Sequence, residues 1–310
     1  MRKVLITDDV SAVLLEGLPG LGYTFDYIPN ITFREVKDSI HEYEGLVINS
    51  KVFCGDELLR NASNLKWIGR LGSGMEVIDT VVCDTRGIKY FNTPSGNCKA
   101  VAEHTLGLLL SLMHNISKAN YEVKNWQWIR EQNRGEELSG KTVGILGYGH
   151  TGEAFAKVLS GFDVKVLAFD KHRKDFASGS VFESNYEEIF EQADILSIHL
   201  PLTDETTFSI DFNFLNSFKK PIFLVNTSRG KVLTTADLIA LVESGKIKAA
   251  ALDVLENEKL SELSQQEKDV FQLLIKCERI ILTPHIAGWT HESKRKIAQK
   301  LLEHIALFSA

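Results

Sequence analysis

The chain has 310 residues, of which 44% are hydrophobic and 25% charged, and its formal net charge at pH 7 is −6. This length allows two domains with separate cores, and the composition is ordinary for a soluble globular protein. The acidic balance gives no reason to expect nucleic acid or an anionic membrane as a partner. The four cysteines are far apart, without a C-x-x-C pair or metal-ligand spacing, so we expect free thiols and no bound metal.

The sequence also carries no recognisable targeting or membrane segment. The apolar run at residues 4–6 is too short for a signal peptide and is followed by acids. The longest apolar stretch, residues 106–113, contains Ser111 and is far shorter than the roughly 20 residues of a membrane-spanning helix. We therefore expect a cytoplasmic protein with no membrane partner.

The first half of the chain alternates predicted strands with predicted helices. A helix is predicted over residues 11–18, and strands at residues 4–7, 23–27, 46–49, 67–70 and 88–91. This alternation predicts a parallel sheet with helical crossover connections. A turn-rich break at residues 92–96 then precedes a long helix predicted from about residue 100 to residue 114.

The second half begins at Lys141 and repeats the pattern. Its predicted strands are residues 143–146, 164–169, 195–199, 223–226, 249–252 and 280–282, and a final amphipathic helix follows at residues 291–308. The predicted fold is α/β with two doubly wound parallel-sheet domains. A nucleotide-binding domain of residues 99–288 is inserted into a substrate domain of residues 1–98 and 289–310. Because ligand clefts usually form at domain interfaces, we expect the active site between the two.

A glycine motif follows the strand at residues 143–146. Gly147, Gly149 and Gly152 have the G-x-G-x-x-G spacing, and a predicted helix continues from residue 153 to residue 159. The first glycine permits a tight turn, the second leaves room for a pyrophosphate, and the third lets the helix pack closely on the strand. The phosphates would lie at the positive end of that helix. Asp170 ends the next strand, about 20 residues past the motif, where such units bind the ribose.

The choice between NAD and NADP depends on the residues around Asp170. Its carboxylate would accept hydrogen bonds from both ribose hydroxyls and repel a 2′-phosphate, which favours NAD. Arg173, three residues on, leaves the alternative open, because its guanidinium could meet that phosphate. We predict NAD as the cofactor.

Three further polar segments follow predicted strands of the nucleotide-binding domain. They are residues 226–230, 253–258 and 283–288. Open α/β sheets bind their ligands at this edge. Arg229 could bind a carboxylate or polarise a carbonyl oxygen. His285 could exchange a hydroxyl proton near neutral pH, and a neighbouring carboxylate would orient its ring.

Together with residues 69–74 and 92–103, these motifs make nearly the whole chain similar to the D-isomer-specific 2-hydroxyacid dehydrogenase family. The resemblance implies an NAD-dependent enzyme with a Rossmann domain inserted into a flavodoxin-like substrate domain. It implies that Arg229 binds the substrate and that His285 is the acid/base. It also implies that the glutamate five residues after Asp253, which is Glu258 and not Glu256, is the catalytic carboxylate.

The resemblance also implies the residues that bind the cofactor and the substrate. Asp253 would contact the nicotinamide amide, and Leu200 would line the adenosine pocket. The remaining cofactor-binding predictions are Gly147, Gly149, His150, Thr151, Gly152, Asp170, Thr227, Ser228, Ala287 and Gly288. Gly72, Ser73 and Gly74 resemble the loop whose N–H groups hold the substrate carboxylate.

Within the family the sequence is nearest to the phosphoglycerate dehydrogenase branch. Arg70 occupies a position at which that branch uses an arginine towards the phosphate. The branch's other phosphate-side arginine is replaced by Asn49, and Lys51 could compensate because strand alternation would place both on the same side. Because the sequence ends at Ala310, we expect a short form without a C-terminal regulatory domain. Glycerate, glyoxylate (hydroxypyruvate) and lactate remain alternative substrates.

A non-catalytic alternative is an NAD-sensing binding protein, similar to the C-terminal-binding corepressors that share this fold. Nothing in the sequence resembles their partner-binding extensions, and we therefore favour the enzyme. Glu258 argues against the formate dehydrogenases, which replace the glutamate. Trp126 and Trp128, after the long helix, predict the interface of a homodimer. We assign structural roles to His104, His114 and His304, and His199 to the cofactor wall.

Overall fold

The computed structural model describes residues 2–309. Contacts along the chain divide it into two compact units. The first, here called the terminal unit, ends at Cys98 and resumes at Trp289, and the second, the central unit, is Lys99–Gly288. No helix within the described residues is both long and apolar enough to cross a membrane.

Helices and strands alternate throughout the chain. As far as residue 93 the elements are β1 (Arg2–Ile6), α1 (Ala12–Gly20), β2 (Tyr23–Tyr27), α2 (Phe33–Ser39), β3 (Gly45–Ile48), α3 (Asp56–Leu59), β4 (Trp67–Arg70), α4 (Thr80–Thr85) and β5 (Lys89–Phe91). They are followed by α5 (Pro94–Met113), α6 (Ile116–Lys124), β6 (Thr142–Leu146), α7 (His150–Leu159), β7 (Lys165–Phe169), β8 (Val181–Glu183), α8 (Tyr186–Gln192), β9 (Ile195–Ile198), α9 (Phe212–Asn216), β10 (Ile222–Asn226), α10 (Thr235–Glu243), β11 (Ile247–Leu252), α11 (Gln265–Lys276), β12 (Ile280–Leu282) and α12 (His291–Ser309).

The terminal unit contains a five-stranded parallel sheet in the order β2-β1-β3-β4-β5. This is the flavodoxin-like order. Both faces of the sheet are buried, because successive side chains of β1 enter different cores. Leu5 joins the cluster under α2 and α3, whereas Val4 and Ile6 join the cluster that contains Leu14 of α1 and Leu301 of α12. Continuous apolar strands of this kind are typical of parallel sheets covered by helices on both faces.

The central unit contains a seven-stranded parallel sheet in the order β12-β11-β10-β9-β6-β7-β8. β6 pairs with β7 on one side and with β9 on the other. The strand order therefore reverses at β6, and ligands of such sheets bind outside the carboxyl ends of the strands at this point. The predicted fold of two doubly wound parallel sheets is confirmed.

The elements of the structure differ from the sequence-based prediction at several places, including the start of α5, the short strand β8 and the end of β3. α5 begins at Pro94, inside the stretch predicted to be a break, because proline is favoured in the first turn of a helix, where its missing N–H costs no hydrogen bond. β8 was not predicted, since a strand of three residues gives almost no periodic signal. β3 ends at Ile48, one residue before the predicted end, and this affects the assignment of Asn49.

Candidate functional site

The glycine loop between β6 and α7 has the geometry that its three glycines predict. Gly147 has a φ of +88°, and a Cβ there would lie 2.6 Å from the carbonyl oxygen of His199. A Cβ on Gly152 would lie 2.1 Å from the carbonyl oxygen of Gly147, so the helix is as close to the strand as backbone atoms permit. A Cβ on Gly149 would meet nothing within 4 Å. The loop thus has open space beside its middle glycine, which fits a pyrophosphate group.

Asp170 lies directly after β7 and is tied to the glycine loop. Its carboxylate accepts hydrogen bonds from the N–H of Tyr148 at 2.8 Å, of His172 at 2.9 Å and of Arg173 at 2.8 Å. Burial alone would raise the pKa of Asp170, but the N–H groups of Arg173, His172 and Tyr148 outweigh it and lower this pKa. The position beside the predicted ribose site therefore carries a negative charge at neutral pH.

Two of the basic side chains that follow Asp170 in the sequence are paired with acids. The guanidinium of Arg173 lies 2.5 Å from a carboxylate oxygen of Glu153 and donates to the carbonyl oxygen of Tyr148 at 3.1 Å. Lys171 lies 2.5 Å from a carboxylate oxygen of Glu205. Both cations are thus held by other groups.

The three polar segments predicted to carry the chemistry follow three neighbouring strands. Residues 226–230, 253–258 and 283–288 lie at or directly after the ends of β10, β11 and β12, which are adjacent in the sheet and parallel. The carboxyl ends of parallel neighbours meet at one edge, so the three segments share an edge of the central unit. The glycine loop after β6 lies at the same edge.

His285 and Glu258 form a hydrogen-bonded pair at this edge. The two carboxylate oxygens of Glu258 lie 2.9 Å and 2.8 Å from Nδ1 of His285. Because a carboxylate accepts, this geometry places a hydrogen on Nδ1 and leaves Nε2 for proton exchange. Both side chains are exposed. His285 also has a φ of +54°, which is rare for residues other than glycine.

The side chain of Asn226 organises the segment that carries Arg229. Its Oδ1 accepts hydrogen bonds from the N–H of Ser228 at 3.0 Å and from the hydroxyl of Ser228 at 2.8 Å, and its Nδ2 donates to the carbonyl oxygen of Arg229 at 3.0 Å. Gly230 permits a close approach, since a Cβ there would lie 1.9 Å from the carbonyl oxygen of Leu255. The Arg229 guanidinium, half-buried, is therefore presented by a constrained loop.

Glu256 and Glu258 have different environments. Glu256 accepts a hydrogen bond at 2.6 Å from the N–H of Thr235, the first residue of α10, and so stabilises a helix end. Glu258 faces His285. After Lys259 the loop forms a 3-10 turn over Leu260–Glu262 and then α11, which begins with a capping box between Ser264 and Glu267. The charged segment after Glu258 is therefore ordered by its own caps.

Asp253 is fully buried and holds the loop that follows β12. Its Oδ1 accepts hydrogen bonds from the hydroxyl of Thr283 at 2.6 Å and the N–H of Ile286 at 2.9 Å, and its Oδ2 accepts from the N–H of Ala287 at 2.8 Å. Burial alone would raise the pKa of Asp253, but the imidazole of His104 and these three groups together lower it. The predicted contact with the nicotinamide remains a prediction, and in the structure the carboxylate positions the loop.

The other predicted cofactor residues lie around the same edge. His150 and Thr151 begin α7, where the first N–H groups of a helix have no partner within the helix. Thr227 is buried, with its hydroxyl 2.8 Å from the hydroxyl of Thr105 on α5. Leu200 is half-buried against the core of the central unit. Ala287, held by Asp253, is followed by Gly288, the last residue of the unit.

His199 does not line a solvent-exposed wall. Its ring is buried, with Nε2 2.8 Å from the hydroxyl of Ser197 and the ring centroid 5.4 Å from that of Phe155. Burial lowers the pKa of His199 to about 3, so the ring is neutral near pH 7. The backbone of His199 supports the glycine loop, since its carbonyl oxygen lies against Gly147.

The terminal unit places Arg70 beside the predicted carboxylate loop. Arg70 ends β4, and a Cβ on Gly72 would lie 2.6 Å from Nη1 of Arg70, so the guanidinium folds over this glycine. Ser73 donates to Asn97 at 3.0 Å, and its carbonyl oxygen accepts from Asn92 at 2.7 Å. The loop that continues to Gly74 is thus shaped by residues at the start of α5.

Asn49 and Lys51 lie beyond the end of β3 and not on one side of a strand, contrary to the sequence-based prediction. β3 ends at Ile48, so strand alternation does not apply to either residue. The Lys51 ammonium lies 3.8 Å from a carboxylate oxygen of Asp8 and donates to the carbonyl oxygen of Pro29. The N–H of Asn49 donates to the same Asp8 carboxylate at 2.9 Å. Both residues therefore contribute to the network around Asp8, and their contact with a substrate phosphate remains untested.

The sequence did not reveal the residues that hydrogen-bond to the segments carrying the predicted site residues. Asn226 shapes the Arg229 loop, and His104 and Thr105 on α5 reach Thr283 and Thr227, respectively. Asn226 was inside a recognised motif, at the end of a buried strand, and could have been found there. His104 and Thr105 are separated from their partners by 179 and 122 residues, and no local pattern links them.

Comparison with known proteins agrees with this architecture. Residues 106–287 match the family model described as the NAD-binding domain of the D-isomer-specific 2-hydroxyacid dehydrogenases. The D-3-phosphoglycerate dehydrogenase of Bacillus subtilis is 31% identical over 311 residues, covering 100% of this chain and 57% of that protein. The chain thus spans little more than half the length of such relatives.

Two other relatives match over most of their length. The hydroxypyruvate reductase of Thermotoga maritima is 32% identical over 271 residues, covering 87% of this chain and 86% of that protein. The solved structure of a D-lactate dehydrogenase from Treponema pallidum has a TM-score of 0.80 at 27% identity, covering 98% of this chain and 95% of that one.

Proposed function

Since this chain belongs to the D-isomer-specific 2-hydroxyacid dehydrogenase family, we propose that it is an NAD-dependent enzyme that interconverts a D-2-hydroxy acid and its 2-oxo acid. In this proposal the central unit, residues 99–288, is the NAD-binding domain, and the terminal unit, residues 1–98 and 289–310, is the substrate-binding domain. The observation that supports it most directly is the pair of His285 and Glu258 at the carboxyl edge of the sheet that carries the glycine loop.

Three side chains of the central unit would perform the chemistry. When bound, the nicotinamide supplies or accepts the hydride at C2 of the substrate. The Arg229 guanidinium binds the substrate carboxylate and polarises the carbonyl oxygen. In reduction, Nε2 of His285 donates a proton to that oxygen, and in oxidation it accepts the hydroxyl proton. Glu258 accepts from Nδ1 in both directions and stabilises the imidazolium.

Turnover of a panel of 2-oxo acids with NADH and with NADPH tests the reaction class. Phosphohydroxypyruvate, hydroxypyruvate, glyoxylate and pyruvate cover the candidate substrates. NADH labelled with deuterium at C4 would transfer the label to C2 of the product. Binding of NADH without turnover of any member would contradict the proposal and favour an NAD-sensing protein instead.

We propose NAD rather than NADP as the preferred cofactor. Asp170 is ionised beside the predicted ribose site, and its charge would repel a 2′-phosphate. Arg173 and Lys171, the cations that could offset this charge, are paired with Glu153 and Glu205. A clear preference for NADPH in the same panel would contradict this assignment.

3-Phosphoglycerate and its oxo acid are the substrates that we favour. Arg70 supports them, because its guanidinium lies over the 72–74 loop, where it could bind a phosphate. Hydroxypyruvate, glyoxylate or pyruvate remain the alternatives, because Asn49 replaces a phosphate-side arginine and Lys51 contacts Asp8.

An Arg70→Ala variant separates these substrates. We expect it to lower kcat/KM for phosphohydroxypyruvate by about tenfold or more, since a hydrogen-bonded charge pair is worth about 1.5–3 kcal/mol. The loss for hydroxypyruvate, which lacks the phosphate, should be within about twofold. Arg60→Ala, on an exposed arginine of the same unit, is the control. Equal losses for both substrates would show that Arg70 is structural.

A Glu258→Gln variant tests the proton-transfer pair. Glutamine keeps a hydrogen-bonding group near Nδ1 but removes the charge that stabilises the imidazolium. Reduction needs a proton donor at His285, so we expect kcat for reduction to fall about tenfold, since a hydrogen bond to a charged group is worth about 1.5–3 kcal/mol. Steady-state rates with a 2-oxo acid and NADH would measure the loss. Glu256→Gln, which changes the helix-capping neighbour, should keep kcat close to that of the parent. A loss in Glu256→Gln but not in Glu258→Gln would show that Glu256 is the partner of His285.

A homodimer is the assembly that we propose. Trp126 and Trp128, just after α6, are 98% and 80% exposed, and Tyr121 and Val123 on α6 are also exposed. Aromatic side chains grouped on a surface are typical of protein interfaces. Sedimentation equilibrium of the parent and of a Trp126→Ser/Trp128→Ser variant tests this, since only the parent should be dimeric.

A further inference from the structure

His104 on α5 is joined to the loop that carries His285 through one hydroxyl group. Nε2 of His104 lies 3.1 Å from Oγ1 of Thr283, and this hydroxyl lies 2.6 Å from Oδ1 of Asp253. All three residues belong to the central unit. The side chain of His104 is only 24% exposed and lies 3.6 Å from the Asp253 carboxylate.

The direction of these hydrogen bonds follows from the groups involved. The Thr283 hydroxyl has a single proton, and a carboxylate such as that of Asp253 can only accept, so this proton is donated to Oδ1. The hydroxyl oxygen then accepts from His104, whose Nε2 must carry a hydrogen. The chain of donors therefore runs from the imidazole through the hydroxyl to the carboxylate.

Asp253 in turn holds three consecutive N–H groups of the catalytic loop. Its carbonyl oxygen accepts from the N–H of His285 at 2.7 Å, and its carboxylate accepts from the N–H of Ile286 at 2.9 Å and of Ala287 at 2.8 Å. His285 has a left-handed backbone with a φ of +54°. Such a conformation persists only where surrounding contacts enforce it. The hydrogen bonds to Asp253 are contacts of this kind.

We propose that His104 is a positioning residue for proton transfer. It acts through Thr283 and Asp253 to hold the imidazole of His285 within hydrogen-bonding distance of the Glu258 carboxylate. The proposal rests on the proposed function, in which His285 exchanges the substrate proton. His104 fixes the hydroxyl of Thr283 in the orientation that Asp253 requires. Without this donor the hydroxyl can rotate, and one of the groups that orient the Asp253 carboxylate towards the loop is weakened.

Four variants test the network in the full chain. His104→Leu removes the donor, His104→Gln keeps an N–H near the position of Nε2, and Thr283→Val removes the hydroxyl. The fourth variant combines His104→Leu with Thr283→Val. We expect His104→Leu to lower kcat about tenfold, the equivalent of one lost hydrogen bond. His104→Gln should stay within about twofold of the parent. The double variant should be no worse than Thr283→Val alone, because the two changes interrupt one path.

Amide hydrogen exchange measures the same effect without relying on activity. In the unliganded protein, exchange in the segment 283–288 should accelerate in His104→Leu and return to the parent rate in His104→Gln. His114→Leu, at an exposed histidine just after α5, is the matched control and should change neither exchange nor kcat. Unchanged exchange in His104→Leu, additive losses in the double variant, or equal damage by Leu and Gln would overturn the proposal. A parent enzyme that reduces no 2-oxo acid would instead contradict the proposed function, and the exchange result would still decide the role of His104.

Discussion

A His285→Asn variant should lose about 10²–10⁴-fold in kcat, the usual range for a lost general acid/base. Asparagine is chosen because it tolerates the left-handed backbone at this position, so the loop should keep its shape while the imidazole is removed. Fluorescence titration should show NADH binding close to that of the parent, because the glycine loop and Asp170 are unchanged. Single-turnover rates would show whether the loss lies in the chemical step.

The matched control for this variant is His114→Asn, at an exposed histidine of the same unit. Its kcat should equal that of the parent. A His285→Asn variant with kcat within about threefold of the parent would contradict the role of His285. Removal of the group that donates a proton to the substrate carbonyl should lower kcat far more than about threefold.

An Arg229→Lys variant should lower kcat/KM for the 2-oxo acid by about 10²-fold or more. Lysine keeps the positive charge but loses the planar fork that binds a carboxylate through two parallel hydrogen bonds. The loss should fall on both kcat and KM, since in the proposed mechanism Arg229 binds the substrate carboxylate before the reaction and polarises the carbonyl during it. Steady-state kinetics under saturating NADH would separate the two parameters.

Arg279→Lys is the control, because Arg279 is an exposed arginine just before β12. Oxamate, a non-reacting analogue of a 2-oxo acid, provides a second readout: its inhibition constant should rise in Arg229→Lys and stay unchanged in Arg279→Lys. Near-normal efficiency of Arg229→Lys would exclude the proposed contact with the substrate carboxylate.

The parts of the site that were predictable from sequence are those encoded by neighbouring residues. Gly147 and Gly152 have backbone requirements that no other residue meets as well, Gly149 leaves open space beside the loop, and Asp170 follows the next strand. The pairing of Glu258 with His285 was also predicted, from the spacing after Asp253 that the family uses. Motifs of this kind are predictable because the residues that form them are close together in the sequence.

What could not be predicted depends on contacts between distant segments. Nothing near His104 in the sequence indicates Thr283, because their contact depends on how α5 packs beside β12. Lys51 shows a second cause of failure. Its assignment assumed a strand that continued past Ile48, and a difference of one residue in the strand end removed the argument. Strand ends are decided by tertiary contacts as much as by local sequence.

The left-handed backbone at His285 has a consequence for protein engineering. Glycine or asparagine would occupy this conformation at lower cost, so a library screened only for heat resistance would tend to replace this histidine. Each such stabilised clone would lose the proposed proton donor. Thermal selection of this protein should therefore be run with a growth or colour assay that reports turnover, and the residues around Asp253 should be kept fixed.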